Sequence, residues 1–293
     1  MKSPLSEIRR ARPLLGTMVE IAARGPHAST GIEAAFREIE IVHRLMSFHE
    51  IDSEVSRLNR SPLFTPVAVD RRTYEVLSWA QRISALSDGA FDVTVGAKLV
   101  AAGFLPVPSN SEWPCEKANF RDLNLLPGKR VLLKRRTWID LGGIAKGYAV
   151  DRAVEALRQN GIGSGMVNAG GDLYVLGASR PIHVRHPEDA SRLFSLGTFA
   201  DVAVASSSGC FTERRRNGAA TDPLIDLRRN SALRWKQGVT VLASRCLIAD
   251  ALTKVVRLAP RRALKILAQF GARAVVIDRR GVRYSVHETE TRH

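Results

Sequence analysis

Asp140, the pair Gly142-Gly143 and Lys146 crowd into Ile139-Asp-Leu-Gly-Gly-Ile-Ala-Lys-Gly-Tyr-Ala-Val-Asp151, and Asn168-Ala-Gly-Gly-Asp172 follows shortly after. A carboxylate, a turn and an ammonium in that order are parts of an anion site. Backbone N–H groups at a helix start have no intrahelical partner and point at whatever lies in front of them. Gly142 and Gly143 are expected to turn with positive φ and to let a ligand approach the backbone closely. Lys146 falls in the first helical turn, where the dipole disfavours a cation unless an anion sits beside it. The combination points to a phosphate-bearing ligand beside a carboxylate. The plainer alternative is a strand ending in a glycine turn with a solvated lysine, and short glycine motifs leave both open.

Positioning these residues requires a strand at Arg136–Ile139, a helix over Lys146–Asn160, and strands at Gly165–Asn168 and Asp172–Leu176. Upstream, Leu14–Ala23 reads as a strand. Apolar residues Ile32, Ala35, Phe36, Ile39, Ile41, Val42, Leu45 and Met46 recur at mostly helical spacing, predicting a helix from Ile32 to about Phe48. A second helix spans about Arg72–Leu86 and stops at the turn signal Ser87-Asp88-Gly89. Residues 101–129 carry Pro106, Pro108, Pro114 and Pro127 and read as a surface excursion, followed by a strand at Val131–Leu133. The second half predicts strands at Ile182–Arg185, Phe199–Ala205 and Val239–Ala243, then helices over Leu247–Leu258 and from Pro260 to Phe270. Ala274–Ile277 and Val282–Tyr284 close the chain as a hairpin. Strands do not alternate regularly with helices, so the pattern is α+β, an antiparallel sheet packed against helices, rather than a doubly wound sheet. No internal repeat or linker divides the 293 residues, which are expected to form a single domain.

A net charge of +15, from 44 basic and 29 acidic residues, favours anionic partners. The basic runs are short and scattered, such as Lys134-Arg135-Arg136 and Arg214-Arg215-Arg216, with no interleaved aromatics. A nucleic-acid groove is therefore not expected. Cys115, Cys210 and Cys246 are widely spaced, which argues against a disulfide framework and a zinc knuckle. The N-terminal stretch has no signal-peptide core or lipid-attachment cysteine, and no apolar run approaches the ~18 residues of a membrane span. The expected location is cytoplasmic.

Several stretches, in order, resemble the FAD:protein FMN transferase family. They are Leu15-Gly-Thr17, Met46 to Asn59, Gly89-Ala-Phe-Asp-Val-Thr-Val-Gly96, Ile139 to Asp151, Val167 to Leu173, Ala205 to Phe211, and Val239-Thr-Val241 leading into Ala249-Asp-Ala-Leu252. They cover nearly the whole chain. The resemblance implies two interlocked α/β lobes with mainly antiparallel sheet, a T-fold-like flavin transferase architecture, holding FAD in the cleft between them. It implies a Mg²⁺-dependent reaction in which a Thr or Ser hydroxyl of an acceptor protein, expected to be an electron-transfer protein, takes FMN from FAD and AMP leaves. Magnesium suits such a diphosphate because it prefers a few oxygen ligands.

Carried over position by position, the resemblance assigns nucleotide contacts to His49, Ala90, Phe91, Asp92, Asp140 and Lys146. It assigns metal contacts to the carbonyl of Gly143, to Asp250 and to Thr253, with Asp250 also catalytic. Each residue has a structural alternative: Asp140 as a turn cap, Asp92 as a paired acid, His49 as a solvated loop side chain, Asp250 as an N-terminal helix acid. Two positions depart from the family pattern. Lys254 stands where relatives carry a threonine that faces the metal, and an ammonium has no lone pair to offer. Pro223 stands where relatives carry a histidine, leaving Asp222 or Asp226 to take a proton from the acceptor hydroxyl. Losing such a base removes ~10²–10⁴ in rate. Two other outcomes of a weakened site are non-covalent FAD or FMN binding, and hydrolysis of FAD to FMN and AMP.

Overall fold

The computed structural model describes residues 6–109, 111–189, 191–208, 214–216, 219–221, 224–226, 231–232, 237–278 and 281–286. Its main sheet has eight antiparallel strands whose spatial order is their order in the chain. These are Glu7–Leu14, Thr17–Arg24, Ser164–Ala169, Asp172–Leu176, Val202–Ser208, Gly238–Ala243, Arg273–Asp278 and Gly281–Val286. The helices sit in the connections: α1 (Ala28–Met46), α2 (Glu54–Asn59), α3 (Arg71–Ser87), α4 (Gly96–Ala101) and α5 (Ala145–Gln159) between the second and third strands, α6 (Cys246–Leu258) and α7 (Pro260–Gln269) between the sixth and seventh. The expected α+β class with antiparallel sheet is what forms.

Alternation along the strands separates two cores, as a period of two requires. Tyr174, Leu176, Ala203, Ala205 and Val241 face the helices and join one large apolar cluster with Phe36, Ile39, Tyr148 and Leu252. Their neighbours Val175, Val204 and Leu242 face the other way. They are covered by Ile182, Leu196 and Phe199 of the hairpin Arg180–Arg185/Leu193–Phe199. Phe199–Ala205, expected as one strand, is therefore split: the chain turns at Asp201, with φ of 48°, and passes from the covering hairpin into the main sheet.

Two further expectations change. The excursion at 101–129 contains a strand, Leu123–Leu126, which pairs with Arg130–Leu133. The expected strand Arg136–Ile139 does not form; only Trp138 makes an isolated bridge, to Val95. A side chain takes over where a neighbouring strand would pair. The Asn59 amide donates to the Ile139 carbonyl at 3.0 Å, and the Ile139 N–H donates back to Asn59 Oδ1 at 2.7 Å. The Asp140 N–H donates to the Val93 carbonyl at 2.8 Å, which fixes the start of the glycine turn.

Candidate functional site

The glycine turn, α5 and α6 meet through two reciprocal caps. Asp250 on α6 accepts the N–H of Gly147, in the first turn of α5, at 3.1 Å. Asp151 on α5 accepts the N–H groups of Cys246 and Leu247, the first residues of α6, at 2.6 and 3.1 Å. The helices therefore run antiparallel, each carrying the acid that satisfies orphan donors of the other. Gly147 makes the close approach possible: a Cβ there would stand 2.3 Å from the Cys246 carbonyl oxygen and 2.8 Å from Asp250 Cβ.

The crossing encloses four charges. Lys146 Nζ lies 2.5 Å from Asp172 Oδ2, so the anion demanded by a lysine in the first helical turn is supplied by the second glycine motif. Lys254 Nζ pairs with Asp250 Oδ1, one helical turn away, and also donates to the Asp250 carbonyl at 3.0 Å. Asp250 is fully buried and Asp172 nearly so, whereas the Lys146 and Lys254 side chains keep 33% and 18% of their exposure. The two ammoniums are thus the cluster's outlet to solvent. Burial pushes Asp250 up, but the Lys254 and Lys146 charges prevail and hold it below the usual carboxylate range. Burial and the neighbouring Asp250 charge push Asp172 up against the pull of Lys146. Burial disfavours the Lys146 charge, yet Asp172 and Asp250 raise its affinity for the proton.

Around this cluster the structure assembles most of the expected nucleotide residues. A Cβ at Gly143 would stand 3.5 Å from both Lys254 Cε and Phe91 Cε2, which puts turn, aromatic and lysine against one another. Asp140 is raised by burial, opposed by the Gly142 N–H it accepts and by the charges of His49 and Lys254. Those two side chains therefore lie within electrostatic reach of it. The exposed His49 sits in a loop tied down by Ser53, whose hydroxyl donates to the Ser47 carbonyl at 2.6 Å and accepts from the Ser56 N–H at 3.0 Å.

Some expected residues have other partners. The Asp92 carboxylate is occupied by the Thr94 N–H and hydroxyl, at 2.8 and 2.7 Å, and by the Phe120 N–H at 2.9 Å. It ties this turn to the Phe120 backbone, while the Ala90 and Phe91 N–H groups are held by Ser87, through its carbonyl at 3.2 Å and its hydroxyl at 3.1 Å. Ala90 is buried against Leu258, Ala259 and Leu224. That contact brings the Leu224–Asp226 segment, with Asp226 buried, beside the end of α6. Asp222, Pro223 and the stretch 227–230 lie outside the described residues. Gly142 and Gly143 do not adopt positive φ, contrary to expectation; Gly170 and Gly171 do, at 65° and 101°. Space is tight at Gly142, where a Cβ would stand 3.2 Å from the Asp140 carboxylate, whereas a Cβ at Gly143 would meet its neighbours at ordinary contact distance. Asp172 was not singled out by its sequence position, although its motif and the need of Lys146 for an anion both pointed there.

The expected magnesium donors do not fit that ion. One oxygen of Asp250 meets Lys254 and the other meets the Gly147 N–H. The fully buried Thr253 hydroxyl donates into its own helix, to the Asp250 carbonyl at 2.7 Å. The stem of Lys254 fills the space in front of Gly143. Among the described residues, no three His, Cys, Asp or Glu side chains converge as a metal site.

The chain matches the ApbE family over residues 15–277. It is 29% identical over 273 residues to the FAD:protein FMN transferase of Vibrio cholerae, covering 86% of this chain and 81% of that protein. The FAD:protein FMN transferase of Treponema pallidum is 28% identical over 193 residues, 60% of this chain and 53% of that one. The crystal structure of the ApbE protein of Thermotoga maritima matches with a TM-score of 0.81 at 26% identity, covering 95% of this chain and 96% of that chain. The flavin transferase ApbE of Vibrio cholerae also gives 0.81, at 25% identity over 96% of this chain and 97% of that chain.

Proposed function

This chain belongs to the ApbE family, and from that premise we propose that it is a flavin transferase that moves FMN from FAD to a hydroxyl of another protein. The observation that carries the reading is the crossing of α5 and α6, where Lys146 and Lys254 emerge from a buried cluster beside Asp140 and Phe91. Turn and ammoniums suit a diphosphate, and Phe91 offers an apolar face to its organic part. Relatives of 28 and 29% identity carry the name FAD:protein FMN transferase.

In the proposed reaction a Thr or Ser hydroxyl oxygen of an electron-transfer protein attacks the FMN-side phosphorus. A new P–O bond forms there, and the bond from that phosphorus to the bridging oxygen breaks. AMP departs with the bridging oxygen and the electron pair. The hydroxyl proton goes to a base, for which Asp226 is the proposed group. Lys146 uses one of its three N–H donors on Asp172 and has the others for phosphate oxygens. Asp250 acts indirectly, by fixing Lys254 and the first turn of α5. His49, Asp140 and the Ala90–Phe91 backbone wall the nucleotide, with Ser87 holding that backbone and Asp92 bracing the turn that follows it. Magnesium, expected from the resemblance, has no step in this scheme because the donor set does not suit it.

Incubating the protein with FAD and a threonine-containing acceptor peptide tests the reading. A peptide mass gain equal to FMN less water, with stoichiometric AMP, supports it. The seat of Lys254 on Asp250 favours one second reading, a flavin-nucleotide binder without transfer; bound intact FAD and no AMP would establish that instead. AMP released without any acceptor would mark a hydrolase.

A further inference from the structure

We propose that Lys254 is a resident cation that replaces a divalent metal, so that this site grips the nucleotide diphosphate without magnesium. The inference rests on the flavin-nucleotide reading for its ligand, but on this chain's own geometry for its chemistry.

Three observations carry it. The ammonium sits on one carboxylate oxygen of a fully buried aspartate whose other oxygen is capped by a helix N–H. Its stem runs past Gly143, so charge and chain together fill the place between the turn and α6. The hydroxyl next to it in sequence, on Thr253, donates into its own helix. A dication added on Asp250 would meet a fixed ammonium on the same carboxylate, and like charges at such range repel strongly in a poorly hydrated setting. With Lys254 in place each buried aspartate of the crossing, Asp172 and Asp250, has its own ammonium, which weakens the pull of the pair on a metal. An ammonium has three donors. Two of them serve the Asp250 carboxylate and carbonyl, and the third is available for a phosphate oxygen. Lysine is a recognised point-charge partner of phosphate.

Two measurements test this, both on the full chain. FAD affinity is read by flavin fluorescence in EDTA and in magnesium, and metal binding is read by manganese electron paramagnetic resonance without nucleotide. The wild type should bind FAD equally in both buffers and bind no manganese. Lys254→Thr should lose about tenfold or more of its affinity in EDTA, the scale of one charge-assisted hydrogen bond. Magnesium should restore that loss, and the variant should acquire a manganese signal. The proposal is overturned if the wild type needs magnesium to hold FAD, or binds manganese on its own. Unchanged metal-free affinity in Lys254→Thr overturns it equally. Because the wild-type arm needs no variant, a misfolded Lys254→Thr leaves the proposal testable. FAD binding by the wild type in neither buffer would sink the flavin reading instead, and the manganese arm would then decide the lysine alone: a site gained only by the variant upholds it, a site on both overturns it.

Discussion

Asn59 makes both backbone groups of Ile139 viable in a buried setting, and no other described contact does so. Replacing it by leucine keeps the volume but strands one N–H and one C=O, each costing about 1–3 kcal/mol when left without a partner. Asn59→Leu should therefore lower the stability in urea unfolding by about 3 kcal/mol. Asp140 follows Ile139 directly and caps Gly142, so the variant should also bind FAD more weakly. Full stability in this variant would mean that water or a shifted strand satisfies Ile139. Asn59 lies within a stretch that carries the family resemblance, yet its partner is 80 positions away and no local pattern announces that. The same holds for Asp172, whose motif was visible but whose partner, Lys146, sits on another element. Lys254 is the opposite case: its departure from the family pattern was visible, and the structure supplied only what it touches.

At the level of elements, the α5–α6 crossing depends on the absence of one side chain. Alanine favours a helix interior over glycine by about 1 kcal/mol, so propensity alone predicts that Gly147→Ala stabilises. The backbone oxygen 2.3 Å from the new Cβ cannot give way without parting the helices, and overpacking of that kind costs about 1–3 kcal/mol. A net loss in melting temperature is expected, together with weaker FAD binding. Gly163→Ala, where a Cβ would meet nothing within 4 Å, serves as the control and should be near neutral. The second cap gives a pH signature. Burial pushes Asp151 up to about 6, against the Cys246 and Leu247 N–H groups and the Arg245 charge. A raised carboxyl contributes stability that is complete below its unfolded value near 4 and is lost as pH rises through about 6. Urea titrations of wild type and Asp151→Asn should therefore shift in favour of the asparagine variant between those values, by up to about 3 kcal/mol. A constant difference across that range would place the Asp151 proton elsewhere. Elements with strong internal periodicity were legible: α1 buries Ile32, Ala35, Phe36, Ile39 and Val42 as its spacing demands. The edge strand Glu7–Leu14 was not, because it has no fully buried residue and carries three arginines. Arg136–Ile139 misled because its apolar residues are buried by packing and a side-chain amide rather than by strand pairing.

On the scale of the whole molecule, the net charge of +15 and the neutral cluster at the α5–α6 crossing divide the work. Lys146, Asp172, Asp250 and Lys254 cancel one another, so local charge cannot draw an anion from a distance. The surplus arginines and lysines around the chain can, over a screening length of about 10 Å at 0.1 M salt. Among the described residues no helix is long and apolar enough to cross a membrane. If the surplus steers a diphosphate, the association rate of FAD should fall several-fold between about 20 and 200 mM NaCl. Riboflavin has the same ring system without phosphate, and its rate should stay flat over that range. Stopped-flow flavin fluorescence reads both. Parallel salt dependence for the two ligands would show that the field acts on something other than phosphate charge. Dissociation should respond less than association, because the short contacts of Lys146 and Lys254 lie partly buried and are screened far less than the approach.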